Sequence, residues 1–165
     1  MTITNYLTKS NKCDHRCKFA YSSHSKIFVS YLVRGKVKYT FDRKKGGHSQ
    51  EVTVLAYLGK NLLASGSSDS SIKVWDVFFE RLKFTFNQTN GGHFQYITAL
   101  VALENDLLAS ASGDFTIKIW NVKSGILRNT FHQANGGHFA TVYSLAYLGN
   151  NLFASGSQGE CLFFD

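Results

Sequence analysis

The sequence predicts an all-β fold built from four-stranded antiparallel units, and two observations support this prediction. First, a 45-residue unit recurs along the chain: the tripeptide Gly-Gly-His ends at His48, His93 and His138, and Trp75 and Trp120 are also 45 residues apart. A fixed period of this length indicates a repeat architecture. Second, short stretches alternate apolar and polar residues with a period of two, as strands do, and no segment keeps the i, i+3, i+4 spacing of an amphipathic helix.

The repeat divides the chain into copies of unequal quality. Residues 46–90 and 91–135 are identical at 22 of 45 positions without a gap. A truncated third copy covers 136–165, and a partial early copy covers 26–45. Residues 1–25 are interpreted as a degenerate basic segment. The sequence therefore predicts about 3.5 units.

Each unit is predicted to contain four short strands. In the first full copy, VTVLAYL (52–58) and NLLASGS (61–67) flank a Gly-Lys turn and form a hairpin. SIKVWDV (71–77) follows as the third strand, with apolar and polar residues alternating. LKFTF (82–86) is the fourth and outermost strand, and the turn sequence NQTNGG closes the unit.

Composition excludes several protein classes. The chain has 165 residues, of which 44% are apolar and 18% charged, a balance typical of one globular domain. Its apolar stretches are far shorter than the roughly 20 residues of a membrane helix, and the N-terminus lacks the apolar core of a secretory signal. Three cysteines form no disulfide framework. These features favour a reducing, intracellular compartment, either the cytoplasm or the nucleus.

The net charge of +7 is concentrated at one end. Residues 1–45 carry 11 of the 18 basic side chains and two acidic ones, a net charge of +9, whereas residues 46–165 have a net charge of −2. The basic quarter includes RKK (43–45) beside Tyr39 and Phe41, which occupy strand register. A solvated basic face explains this pattern, and the alternative is contact with nucleic acid or another acidic surface.

The 45-residue unit resembles the WD-repeat family of β-propellers. The resemblance rests on four strands per unit, Gly-His near its start and Trp-Asp near the end of its third strand. It is specific across 46–157, weaker over 26–45 and absent from 1–15. It implies a ring of four-stranded blades, and 3.5 blades are too few to close one. We therefore expect an open ring, either as part of a longer propeller or with open blade edges that favour self-association.

A Ser-His-Asp set recurs in the two full copies and could suggest a hydrolase. A catalytic triad has no reason to occur twice at one period with a tryptophan attached. The resemblance implies a structural network in which aspartate orients histidine, histidine bonds serine, and serine accepts the indole N–H. The residues of this expected network are His48, Ser65, Asp69, Trp75, His93, Ser110, Asp114 and Trp120.

The outer copies depart from this pattern. The second full copy has Asn121 after its tryptophan, and the third has Gly159 where the others have aspartate, with Phe164 near the tryptophan position. The earliest copy has His24 and Ser30 in the aspartate and tryptophan registers. We therefore expect the third copy to have lost its network.

The resemblance implies a non-catalytic scaffold for protein–protein interaction, without cofactor or metal. Its partner is expected on the face that carries the Gly-His loops and the aspartate turns; this step rests on analogy. The positions expected to be exposed on that face are Glu51, Thr53 and Ser68, then Tyr96, Thr98 and Gly113, then Thr141, Tyr143 and Gln158.

Two further features of the sequence could mark a site: a Cys-His cluster near the N-terminus and a pair of phenylalanines on a turn. Cys13, His15 and Cys17 lie close together, but their spacing is CxxxC and no second pair of ligands is evident, so a zinc site is disfavoured. Phe78 and Phe79 replace a Lys-Ser turn of the next copy. Two phenylalanines on a turn indicate either a partner contact or side chains folded over the end of the blade.

Overall fold

A computed structural model of the chain describes residues 2–4, 18–31, 37–150 and 152–165. The described residues form fifteen β-strands and three short 3-10 helices, with no α-helix. Among them no helix is long and apolar enough to cross a membrane. The all-β class expected from the sequence is confirmed.

The strand bounds follow the predicted hairpins to within one or two residues. The strands are β1 (Thr2–Thr4), β2 (Lys18–Ser23), β3 (Lys26–Tyr31), β4 (Val37–Phe41), β5 (Val52–Gly59), β6 (Leu62–Ser67), β7 (Ile72–Asp76), β8 (Arg81–Phe86), β9 (Ile97–Ala102), β10 (Leu107–Ser112), β11 (Ile117–Asn121), β12 (Ile126–Phe131), β13 (Ser144–Gly149), β14 (Leu152–Ser157) and β15 (Glu160–Phe164). The 3-10 helices are Arg43–Lys45, Gln88–Asn90 and Gln133–Asn135.

The strands form four antiparallel sheets in chain order. Sheet 1 is β1–β4, sheet 2 is β5–β8, sheet 3 is β9–β12, and sheet 4 contains the three strands β13–β15. The first strands of consecutive sheets lie side by side, and within the described ranges the ring of sheets is not closed. Sheet 1 takes β1 and β2 from residues before Lys26, so part of the basic N-terminal segment belongs to a sheet. The domain division at residue 25 stays a prediction.

The apolar core lies between consecutive sheets. One buried cluster joins sheets 1 and 2, a second joins sheets 2 and 3, and a third joins sheets 3 and 4. Side chains at alternate strand positions face each neighbour, as the period-two pattern requires. The fold is therefore a row of sheets in which each one buries its apolar side chains against the next.

The last residue of each outer strand packs against an aromatic ring of the following sheet. Phe41 stacks on Trp75 with 4.6 Å between ring centroids, and Phe86 stacks on Trp120 at 4.3 Å. Phe131 contacts Phe164 at the equivalent place with 4.5 Å between ring centroids, but these two rings are tilted by 49°. Offset stacking adds about 0.5–1.5 kcal/mol to the burial of each ring. The contact recurs at every sheet boundary of the described structure.

Threonine hydroxyls link the inner strands. Thr53 Oγ1 donates a hydrogen bond to the carbonyl oxygen of Ile97 in the next sheet at 2.6 Å. Thr98 makes the equivalent bond to the carbonyl of Val142. These bonds connect the first strand of one sheet to the chain that begins the next sheet.

Sheet 4 has a shorter turn between its second and third strands. In sheet 2 the pairs flanking this turn include Gly66 and Ile72, whereas in sheet 4 Ser157 pairs with Glu160 across a two-residue turn. This turn is one residue shorter than the equivalent turns of sheets 2 and 3. The shorter turn places Phe164 opposite Phe153, as Trp75 lies opposite Leu63.

We expect Phe86→Ala to lower the free energy of unfolding by about 3–5 kcal/mol, because it removes a fully buried ring from the stack on Trp120. Phe131→Ala is the matched control, and it should cost clearly less because Phe131 is only half-buried. Urea unfolding curves measure both losses. Equal losses in the two variants would contradict the importance assigned to the Phe86–Trp120 stack.

Candidate functional site

The Gly-Gly-His sequence forms a tight loop that places each histidine. The first glycine is left-handed, with φ of 78° at Gly46 and 82° at Gly91. The second glycine lies against the preceding backbone, and a Cβ on Gly92 would come within 2.4 Å of Asn87. Only glycine fits both positions. The loop turns the chain from the outer strand of one sheet into the buried histidine of the next.

A hydrogen-bonded chain of four side chains runs through sheet 2. Trp75 Nε1 donates to Ser65 Oγ at 2.9 Å, and Ser65 Oγ lies 2.8 Å from His48 Nε2. His48 Nδ1 lies 3.1 Å from both carboxylate oxygens of Asp69. An ionised aspartate only accepts, so His48 Nδ1 donates to it and Nε2 accepts from the serine hydroxyl. These four expected residues are therefore brought together.

Sheet 3 repeats the arrangement almost atom for atom. Trp120 Nε1 donates to Ser110 Oγ at 2.8 Å, Ser110 Oγ lies 2.8 Å from His93 Nε2, and His93 Nδ1 lies 3.1 Å from Asp114 Oδ2. The hydroxyl of Thr116 also donates to Asp114 at 2.7 Å. Sheet 2 has Ser71 in this role. This hydroxyl stands two residues after the aspartate in both copies, and it was not predicted from the sequence.

Sheet 4 retains part of the network, contrary to the expectation that the third copy had lost it. His138 Nδ1 donates to Glu160 Oε1 at 2.6 Å, and His138 Nε2 lies 2.6 Å from Ser155 Oγ. The shorter turn brings Glu160 within reach of His138. Its carboxylate takes the place of the aspartate carboxylate, because the aspartate register holds Gly159 in this copy. The tryptophan N–H has no counterpart, because Phe164 occupies that register.

Sheet 1 places its two register residues differently. His24 is exposed in the β2–β3 turn, where its Nδ1 lies 3.3 Å from Ser23 Oγ, and Ser30 is buried in β3. The turn there contains two residues instead of the longer aspartate turn. Sheet 1 therefore packs on sheet 2 without this network.

The network carries a buried negative charge. At Asp69 and Asp114, burial alone would raise the pKa of the carboxyl group, but hydrogen bonds from histidine, a hydroxyl and a backbone N–H outweigh burial and hold the pKa well below its ordinary range. Burial lowers the pKa of His93 despite the attraction of Asp114. At neutral pH the pair is therefore a carboxylate and a neutral imidazole.

The serine hydroxyls of the network are enclosed. Ser65 and Ser110 are both 0% exposed, and each oxygen already accepts the indole N–H of a tryptophan. A nucleophilic serine needs an accessible oxygen within reach of a substrate carbonyl. This arrangement provides hydrogen-bond partners for buried polar groups rather than a place for a substrate.

The expected partner-binding positions differ in exposure. Glu51, Tyr96, Tyr143 and Gln158 are exposed, while Ser68 and Thr141 are half-buried. Thr53 and Thr98 are also half-buried, and the expected exposure is wrong at Gly113, which is buried.

The limited exposure of Thr53, Thr98 and Gly113 has a structural reason at each position. Thr53 and Thr98 are half-buried because their hydroxyls bond the carbonyls of the next sheet. Gly113 is buried under Tyr96, and a Cβ there would lie 2.7 Å from the tyrosine ring. Tyr143 stands in the threonine register of sheet 4, and its ring is exposed.

The end of the sheets that bears the Gly-Gly-His loops and the turns between second and third strands is named the GH face. Exposed aromatic side chains gather there on sheets 3 and 4, and they are Phe94, Tyr96, Phe115, Phe139 and Tyr143. A groove of about 650 Å³ lies between Phe115 and Phe139 and is also lined by Asp114, Thr116, His132 and Gln133. We call it the aromatic groove. Comparing the copies position by position would have found its two phenylalanines.

Two further features noted in the sequence are the Cys-His cluster near the N-terminus and the pair Phe78 and Phe79. Cys13, His15 and Cys17 lie outside the described residues. Within the described ranges no group of three or more His, Cys, Asp or Glu side chains could hold a metal ion. Phe78 and Phe79 are both exposed, with their rings edge to face and Arg81 over Phe79, at the end of sheet 2 opposite the GH face.

We expect Trp120→Phe to lower the free energy of unfolding by about 1–3 kcal/mol, because the ring is retained while the buried Ser110 hydroxyl loses its donor. A double-mutant cycle with Ser110→Ala, followed by urea unfolding, isolates this bond. Additive losses in the two single variants would show that the bond contributes nothing.

Stability should fall with decreasing pH in two steps. Below about pH 6.5 the unfolded chain binds a proton at His93 that the folded chain does not, and below about pH 4 it does the same at Asp69 and Asp114. Asp69→Asn with Asp114→Asn should be less stable than wild type at pH 7 and lose less on acidification from pH 5 to pH 3. Urea unfolding across this range measures the slopes. Parallel curves for the two proteins would contradict the assignment.

A family model described as "WD domain, G-beta repeat" matches residues 35–76 and 84–121. The first match contains Trp75 and the second contains Trp120, so each includes the tryptophan of one described network. A comparison with curated proteins finds no significant match.

Solved structures resemble the fold over nearly the whole chain. The computationally designed Ika4 protein is 26% identical with a TM-score of 0.74, over 99% of this chain and 90% of that one. The WD40 repeats of RRP9 are 21% identical with a TM-score of 0.75, over 99% of this chain and 56% of that one. U3-55K is 22% identical with a TM-score of 0.74, over 97% and 54%. This chain thus spans just over half the length of the last two. The matched repeats, the recurring sheet and these neighbours show that residues 35–76 and 84–121 are similar to WD repeats and that the chain has the fold of WD-repeat β-propeller proteins.

Proposed function

We propose that the chain is a non-catalytic platform for protein–protein interaction and that its partner binds on the GH face. Proteins with WD40 repeats generally act as interaction scaffolds. The observation that carries the proposal for this face is the set of five exposed aromatic side chains on sheets 3 and 4. Aromatic residues are enriched at protein interfaces, where they supply most of the binding energy.

Burial supports a role without catalysis. The Ser-His-Asp sets of sheets 2 and 3 are enclosed, and each serine is held by a tryptophan. Their duplication also matches a structural role, because the same buried polar groups need partners in every sheet. The network thereby holds the loops of the GH face in place from beneath.

Variation between equivalent positions supports recognition of a specific partner. Glu51 and Tyr96 occupy the same place in sheets 2 and 3, and Thr98 and Tyr143 do so in sheets 3 and 4. The backbone beneath them repeats, so the differences alter the surface and leave the scaffold intact. We infer further that the chain acts inside the cell, in the cytoplasm or nucleus, on the basis of its three cysteines, an odd and small number.

The basic end of the chain supports a second candidate. Arg43, Lys44 and Lys45 are exposed on the GH face, where they could contact nucleic acid or another acidic surface. A steep loss of affinity for a nucleic acid with rising salt would support this alternative. Salt-independent binding would exclude it.

A second copy of the chain is a further candidate partner. The outer face of sheet 4 exposes Phe163 by 66% and also Leu148. The equivalent face of sheet 3 is covered by sheet 4, and that of sheet 2 by sheet 3. A sheet from another copy has the same repeating shape, so it is a suitable cover for this apolar surface.

Tyr96→Glu with Tyr143→Thr tests the binding face. Both substitutions install the residue that an equivalent position already carries, so folding should be preserved. We expect proteins that the wild-type chain captures from a lysate to be lost with this variant. The control Phe78→Lys with Phe79→Ser alters the opposite end in the same manner and should retain them. Quantitative mass spectrometry compares the two, and the reverse pattern would assign binding to the opposite end.

Light scattering after size exclusion tests self-association. We expect a mass of twice the 18.5 kDa of one chain, or more, and a shift towards the monomer in Phe163→Lys. A compact monomer of the wild-type chain would exclude the second copy as a partner.

A further inference from the structure

The three boundaries between sheets carry equivalent loops on the GH face with very different side chains. The residue after the loop histidine is Ser49 before sheet 2, Phe94 before sheet 3 and Phe139 before sheet 4. The residue after the network aspartate is Ser70 in sheet 2 and Phe115 in sheet 3. Serine occupies the equivalent backbone positions around sheet 2, so packing of the sheets does not require phenylalanine there.

Phe115 occupies this position despite a strained backbone. Its φ is +70°, close to the +65° of Ser70 in the equivalent turn. The left-handed region is a strained conformation that bulky residues rarely adopt. The exposed ring of Phe115 therefore has a use other than stabilising the turn.

The aromatic groove is bordered by two exposed phenylalanine rings together with polar side chains. Phe115 is 42% exposed and Phe139 is 66% exposed, and no lysine or arginine is among the described residues that line the groove. Opposite the network serine, sheets 2 and 3 carry Lys73 and Lys118, but sheet 4 carries Leu162. The volume of about 650 Å³ is that of a ligand pocket and accommodates a large apolar side chain.

The other end of the same face is basic. Lys26 begins β3 at the turn of sheet 1, and the 3-10 helix Arg43–Lys45 precedes the loop of His48. All four cations are exposed. The corresponding helices Gln88–Asn90 and Gln133–Asn135 are uncharged. We call Lys26 and Arg43–Lys45 the basic rim.

We propose that the partner binds through an extended peptide segment that places carboxylates at the basic rim and a large aromatic or aliphatic side chain in the aromatic groove. This rests on the proposed function, since it specifies the chemistry of the partner on the GH face. The rim and the groove lie two sheets apart. Packed sheets are about 10 Å apart and an extended chain rises about 3.3 Å per residue, so the spacer contains about six residues or more.

Charge favours a peptide over nucleic acid. A single strand of nucleic acid is bound where cations and aromatic rings alternate along one channel. Here the cations are at one end and the phenylalanines at the other, and the groove is bordered by the carboxylate of Asp114. A phosphate at every nucleotide would meet that carboxylate, whereas a peptide can be acidic at one end only.

A random peptide display library, with segments of about 16 residues, tests the proposal on the full chain. We expect the enriched peptides to combine a group of Asp or Glu with Trp, Phe or Leu about six residues away. Fluorescence anisotropy of the most enriched synthetic peptide then measures affinity, and a labelled oligouridine of similar length serves as the competing probe. Absence of enrichment, enrichment of basic peptides or tighter binding of the oligouridine would each overturn the proposal.

The repeats supply matched variants. The variant Phe115→Ser with Phe139→Ser gives both positions the serine that their equivalents, Ser70 and Ser49, already carry. The variant Arg43→Gln, Lys44→Thr and Lys45→Asn gives the first 3-10 helix the sequence of residues 88–90. We expect the first variant to weaken binding by about tenfold or more. The second should weaken binding and remove its salt dependence. Phe78→Lys with Phe79→Ser should bind like wild type.

Failure of this proposal can be distinguished from failure of the proposed function. Hydrogen exchange of the chain with and without the peptide shows which loops the peptide protects. Protection on the GH face with full affinity in Phe115→Ser, Phe139→Ser overturns the groove and leaves the GH face as the binding site. Protection confined to the opposite end overturns both.

Discussion

At every boundary between the described sheets, an aromatic ring at the end of the outer strand packs against an aromatic ring in the third strand of the following sheet. The contact brings the outer edges of two sheets together and excludes water between them. In sheets 2 and 3 the receiving ring is a tryptophan, whose other edge donates to a buried serine. The polar network is therefore positioned by the same side chain that packs the sheets, and the loops of the GH face are positioned by the network.

The sequence was sufficient for the repeat, the strands and the four network residues of both full copies, because all of these recur at one fixed period. It was insufficient where the period fails. Glu160 was missed because a period of 45 pairs Asp114 with Gly159, and a turn shorter by one residue is invisible until the strands are paired. The hydrogen bonds of Thr53 and Thr98 were not predicted because their acceptors lie beyond the repeat that contains each threonine.

The candidate binding surface was even less accessible from sequence. Phe115 and Phe139 belong to different copies and face each other only because the turn of one sheet lies beside the loop leading into the next. What the sequence does contain is the difference between the copies. Where equivalent loops repeat, a change from serine to phenylalanine has no role in the shared scaffold, so it indicates a property of the surface. The same comparison separates the basic rim from its two uncharged counterparts.

The confinement of the core to the boundaries between consecutive sheets has a thermodynamic consequence. An array in which each element contacts only its neighbours has a stability close to a sum of element and boundary contributions, as in a one-dimensional lattice. The boundary between sheets 3 and 4 has a phenylalanine in place of tryptophan and lacks its indole donor. This boundary therefore contributes less stability than its counterparts. Thermal unfolding would begin there, and the aromatic groove, which lies at this boundary, would be the first part of the GH face to lose its structure.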